Sequence, residues 1–177
     1  IPGTEIEFDV DTVLLSVGLI PENELTRSAG IAMDPATSGP IVFENMETSA
    51  EGIFASGNVV HVHDLVDFVT AESQKAGKSA AEYVKNGETK DQTYIDIKNG
   101  DGVNGIVPQK VRPSNVDKMV EVMFRARNVY KDVQIKVKSG GKELASFKRE
   151  HMAPGEMEKI VIPKAFLDKV ENGEITV

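Results

Sequence analysis

The 177-residue chain contains no cysteine, no tryptophan and only three histidines. Without cysteine there are no disulfide staples, thiolate metal sites or CxxC redox pairs, so no thiol here carries redox chemistry. No apolar run approaches the roughly 18 to 20 residues needed to span a bilayer. The opening IPGTEIEFDV also lacks the basic and apolar regions of a signal peptide, so a cytoplasmic location is expected. Positive charge is scarce in the first half: residues 1–90 carry 5 Lys/Arg against 15 Asp/Glu, whereas residues 91–177 carry 15 against 13. This shift implies two units of different character. Neither suits nucleic acid, because the first would repel phosphates and the second has no strong basic excess.

What remains is a globular composition, 40% hydrophobic and 27% charged, able to bury a core. Ile6, Phe8 and Val10 alternate with acids, and the continuous apolar run TVLLSVGLI follows. Together they predict a half-exposed strand running into a buried one, ended by Gly18 and Pro21. IVFE and IFAS read as further short strands. From Phe68 to Val84, Val69, Ala76, Ala80 and Val84 recur at helical spacing, with Lys75, Lys78 and Glu82 left for the other face. Asn86-Gly87 supplies the stop. Beyond it, MVEVMFRARNV, DVQIKVKSG, KELASFKRE and EKIVIPK are strand-length runs separated by the turn signals SGGK and APGE. AFLDKVENG reads as a short helix or loop before a last strand, EITV. Short alternating strands of this kind predict an all-β unit, an immunoglobulin-like sandwich or small barrel. The boundary is placed near residues 88–92, with the glycine-rich IDIKNGDGVNGIVPQKVRP as a lead, giving units 1–89 and 90–177.

EGIFASGNVVHVHDLVDF, residues 51–68, concentrates the candidate chemistry. His61 and His63 lie at i and i+2 beside Asp64, but a tetrahedral metal site needs more ligands than this stretch offers. No metal ligand is therefore assigned. G-x-S-x-G is absent and paired acids read as solvated faces, so no catalytic residue is assigned either. Arg125, Arg127 and Arg149 could together meet an anionic partner. The informative residue is Gly57, where a strand delivers a position without a side chain to a place a ligand could approach.

Two motifs carry a resemblance. VGLIPEN at Val17 to Asn23 and TSAEGIFASGN at Thr48 to Asn58 resemble the paired signatures of FAD-dependent pyridine-nucleotide-disulfide oxidoreductases, the thioredoxin-reductase-like superfamily. The resemblance covers roughly residues 5–87. It implies that the first unit is an α/β remnant of a flavin-binding Rossmann-like domain, its C-terminal portion. It also implies that Gly57 and Asn58 meet the cofactor's pyrophosphate and ribityl groups. Asn58 stands where the family usually has aspartate, and it retains hydrogen-bonding capacity without adding charge. The helix would present its N-terminal amides, near Val69 and Thr70, to the flavin ring.

The family's flavin domain opens with a strand, a G-x-G-x-x-G turn and a helix, and a second such unit binds NAD(P)H. Neither unit is read in these residues. The chain is therefore expected to be a C-terminal fragment of an FAD- and NAD(P)H-dependent oxidoreductase, inactive alone. Its expected partners are the N-terminal flavin and NAD(P)H domains and an unidentified electron acceptor. Exposed apolar surface would favour a homodimer. The second unit resembles, more loosely, the β-rich extension of superfamily members that lack a redox cysteine pair. The competing reading is a protein-binding β-sandwich module whose first half is structural support.

Overall fold

The computed structural model describes residues 1–16, 18–87, 92–170 and 172–177. The expected boundary at 88–92 falls largely outside them. In the first half the described elements are a short helix α1 (Glu24–Ser28), a 3₁₀ turn (Gly57–Val59) and a long helix α2 (Val66–Asn86). Helix α2 runs two residues beyond the expected span at each end. It stops at Gly87, whose φ of 76° suits glycine and whose N–H donates to the Tyr83 carbonyl at 2.8 Å.

Among the described residues of the opening twenty, the expected strand does not form. All described residues up to Ile20 are exposed and outside any strand pairing, among them Phe8 at 76% and Leu14 at 92%. Period and hydrophobicity make this segment able to enter a sheet, but no strand among the described residues lies beside it to supply the hydrogen bonds. IVFE and IFAS reduce to isolated bridges, Val42 to Thr48 and Glu47 to Phe54, within a compact loop. Of the α/β expectation the helix is present, and the first half has no sheet of its own among the described residues.

The second half is β-rich, with two sheets. The larger has order β3-β1-β8-β5-β6 and the smaller β2-β4-β7. The strands are β1 (Ile95–Lys98), β2 (Val103–Val107), β3 (Lys110–Val111), β4 (Met119–Ala126), β5 (Tyr130–Ser139), β6 (Lys142–Met152), β7 (Met157–Pro163) and β8 (Glu174–Thr176), with a short helix α3 (Lys164–Leu167) before the last. In β5 the alternation holds as expected: Ile135 and Val137 are buried while Gln134, Lys136 and Lys138 face water. Gly140 and Gly141, both at positive φ, make the hairpin to β6. One pairing departs from an antiparallel sandwich, because β1 and β8 run parallel. The core between the sheets is built on Phe124, Ile106, Ile160, Ile162, Ile175 and Val122, all nearly inaccessible to water.

The glycine-rich lead holds β1, β2 and β3, and its letters GDGVNG, Gly100 to Gly105, spell G-x-G-x-x-G. Here the run joins β1 to β2, two strands with no helix following, so it cannot aim a helix N-terminus at a pyrophosphate. Packing accounts for its glycines. A Cβ on Gly100 would stand 2.5 Å from the Val177 carbonyl oxygen, and one on Gly102 would stand 2.9 Å from the Tyr130 hydroxyl.

The two halves share buried contacts. A second apolar cluster gathers Val42, Met46, Val60 and Ala76 from the first half with Val107 of β2. Beside it Arg112, which follows β3, is 3% exposed and enters the first half's loop. Its Nη2 donates to Glu47 at 2.7 Å and to Asn45 at 3.2 Å, its backbone N–H donates to Glu44 at 2.7 Å, and its guanidinium lies 4.0 Å over the Phe43 ring.

A buried histidine and carboxylate cluster as candidate functional site

The two motifs meet through one side chain. Asn23, which closes the first and is 1% exposed, donates from Nδ2 to the carbonyls of Ser38 at 3.1 Å and Val59 at 2.8 Å. Val59 follows Asn58 at the end of the second motif, so this amide pins the 3₁₀ turn from beneath. The turn opens at Gly57, whose φ of 73° is left-handed, and no side chain caps it. A Cβ at Gly57 would stand 3.3 Å from Val69 Cγ1, so glycine is also required for the close seat of α2.

Gly57 and Val69 are thus brought together, in contact with each other. Asn58 is exposed at the turn, and its Oδ1 accepts the His63 backbone N–H at 3.1 Å. Thr70 lies on the exposed face of α2 with its hydroxyl donating to the Val66 carbonyl at 2.9 Å. The Val69 N–H already donates to Leu65, the residue before the helix, at 3.4 Å. The amides that a helix start leaves open therefore precede Val69 and belong to Val66 and Asp67.

Beneath the turn lies a cluster in which the sequence showed only two of three members. His61 and His63 are 4% and 8% exposed, not loop residues bordering solvent, and Glu72 on α2 is 6% exposed. His61 Nε2 is 2.9 Å from Glu72 Oε2, and His63 Nε2 is 3.3 Å from Glu72 Oε1. The Gly57 N–H donates to Glu72 Oε1 at 2.6 Å. The imidazole centroids lie 4.2 Å apart with planes near 65°. Glu72 was readable in principle. It falls on the Val69, Ala76 and Ala80 stripe, and an acid on a packed stripe requires a partner.

Burial pushes the Glu72 carboxyl up. The hydrogen bonds from His61 and His63, the His61 charge and the Gly57 amide outweigh it and hold the group at about 2, against an ordinary 4.5. Because the folded value lies below the unfolded one, the stabilisation is present above pH 4.5 and is lost as pH falls toward 2. In metal-free buffer, wild type should therefore lose stability relative to Glu72→Gln across that window. Urea denaturation at a series of pH values measures it, and a flat difference would contradict the assignment.

The loop between the turn and α2 is fastened from the other half. Asp64 pairs with Arg125 of β4 and accepts the Met157 N–H of β7 at 2.5 Å, and Arg125 also donates to the Val62 carbonyl at 3.0 Å. Arg127 donates to the Val103 carbonyl at 2.9 Å, and Arg149 pairs with Glu158 at 2.8 Å. Each of the three arginines is thus engaged within the fold. Along this seam a cavity of about 280 Å³ is lined by Ile20, Ser38, His61, Val62, Asn104 and Arg125 among others.

Comparison with known proteins places the first half only. Residues 1–87 match the family model described as pyridine nucleotide-disulphide oxidoreductase. Over 87 residues the chain is 33% identical to the ferredoxin reductase component of chlorobenzene dioxygenase from Cupriavidus sp. (strain PS12). That alignment covers 45% of this chain and 20% of the relative, so the chain spans about a fifth of that protein's length. No solved structure matches significantly.

Proposed function

We propose that this chain, whose residues 1–87 match the pyridine nucleotide-disulphide oxidoreductase family model, supplies the second flavin-contacting motif of an FAD-dependent NAD(P)H oxidoreductase. In this reading residues 90–177 are an accessory β unit. The observation that supports it is the junction at Asn23. The first motif fixes the carbonyl beside Asn58 and so holds an uncapped turn at a set position and angle. Gly57 gives its N–H to Glu72, which leaves Asn58 and the residues just before Val69 as the groups facing outward toward a cofactor.

The ADP cradle is proposed to come from protein outside these residues, since GDGVNG is committed to a β connection. The exposed segment from Ile6 to Ile20 would add to a neighbouring sheet there, and a second copy of the chain is an alternative cover. FAD, when bound, supplies hydride acceptance from nicotinamide. The residues here would orient it, and they hold no thiol of their own to take the electrons onward.

The test uses the purified 177-residue chain. It is expected to carry no stoichiometric flavin in its visible spectrum and to show no NADH-dependent dye reduction. In the complete flavoprotein, Asn58→Ala is expected to weaken FAD by about tenfold, the worth of one or two hydrogen bonds. Tight FAD or NADH turnover in the isolated chain would overturn the division of the pocket. Unchanged FAD affinity in the Asn58 variant would overturn the contact.

A further inference from the structure

We propose that His61, His63 and Glu72 form a binding site for a borderline divalent transition ion of the zinc class. Three groups suited to coordination converge in the interior, with candidate ligand atoms all within 4.8 Å of one another. His61 Nε2 faces Glu72 Oε2 at 2.9 Å and His63 Nε2 faces Glu72 Oε1 at 3.3 Å, separations of the order of the roughly 3.4 Å ligand–ligand edge of a tetrahedral site with bonds near 2.1 Å. An ion bound among the three groups would take the place of the protons now between Nε2 and the carboxylate.

The surroundings are built to hold such a site. The Gly57 N–H on Glu72 Oε1 orients the carboxylate from outside the cluster, as second partners of metal ligands do. The ionised Glu72 carboxylate faces Nε2 of both rings, while His61 Nδ1 and His63 Nδ1 are buried without a hydrogen-bond partner and so are open to carry the ring proton instead. With an ion bound, each ring would carry its proton on Nδ1 and turn the Nε2 lone pair to the metal. The ligands sit on fixed elements, with the Asn58 side chain bonding the His63 backbone and Asn23 holding the turn before it.

The donor set narrows the ion. Two imidazoles and one carboxylate suit zinc, cobalt or ferrous iron, whereas magnesium and calcium prefer oxygen alone and cuprous copper prefers sulfur. Three protein ligands leave a fourth position for water. This inference does not depend on the flavin reading.

The experiment titrates chelator-stripped chain with Co²⁺, whose visible bands report tetrahedral coordination, and with Zn²⁺ by calorimetry, using Mg²⁺ as control. One ion per chain is expected, with Zn²⁺ displacing Co²⁺ and Mg²⁺ giving nothing. His63→Ala and Glu72→Gln should each weaken Zn²⁺ at least about 100-fold, more than the loss of an outer-shell partner. X-ray absorption of the wild-type Zn²⁺ complex should show two imidazoles, a readout that stands even where a variant misfolds. Absence of the cobalt bands, a shell without imidazole, or unchanged affinity in folded variants would overturn the site.

Discussion

Replacing Arg112 by alanine is expected to destabilise the protein by about 3–5 kcal/mol, the cost of leaving buried acids without their cation. Glu44 and Glu47 are 7% and 5% exposed, and both are arranged around this one guanidinium. Asn115 donates to Glu44 at 2.6 Å and Gly52 N–H to Glu47 at 3.1 Å, but neither contact carries charge. Urea unfolding with a fitted slope measures the loss. A second variant separates broken charge balance from lost packing. Arg112→Met combined with Glu44→Gln and Glu47→Gln removes all three charges while keeping the volume, and it should recover most of the stability. A folded Arg112→Ala within about 0.5 kcal/mol of wild type would show that the cluster contributes almost nothing.

Gly39→Ala is expected to cost about 3 kcal/mol or more, at or beyond the upper end of ordinary overpacking. A Cβ there would stand 1.9 Å from the Val60 carbonyl oxygen and 2.5 Å from its carbon, both backbone atoms that no rotamer change can move aside. The turn carrying Gly39 is held on both sides. Asp34 N–H donates to the Gly39 carbonyl at 2.8 Å, and Asn23 grips Ser38. Strain would pass to Val60 and so to His61, the next residue. Gly77 on α2 is the matched control: nothing lies within 4 Å of its would-be Cβ, and alanine there should stabilise by up to about 1 kcal/mol through helix propensity. Thermal or urea unfolding of the pair gives opposite signs if the close approach is correct. Equal, small effects would refute it.

The contrast between these sites explains what sequence reasoning could reach. The end of α2 was legible because Asn86-Gly87 acts locally, and β5 was legible because its alternation is set by one sheet face. The opening run failed for the opposite reason. Hydrophobic period shows that a segment can be buried, but pairing depends on a neighbouring strand that lies elsewhere. β1 to β3 were hidden because glycine and proline mark turns by composition, while here the glycines serve close contacts with Val177 and Tyr130. Among the candidate residues, Gly57 was found through its motif. The histidine cluster was passed over because its third member stands nine and eleven residues away and is brought in by the phase of a helix.

Val107 was described as a β-strand residue, yet its side chain completes the apolar cluster of the other half. The seam in composition near residue 90 is therefore not a seam in cooperativity. Cutting the chain there would leave Val42, Met46 and Val60 without part of their cover and Glu44 and Glu47 without their counter-ion. The β unit is, in energetic terms, a wall of the first half, and the loop that carries His61, His63 and Asp64 is anchored to that wall.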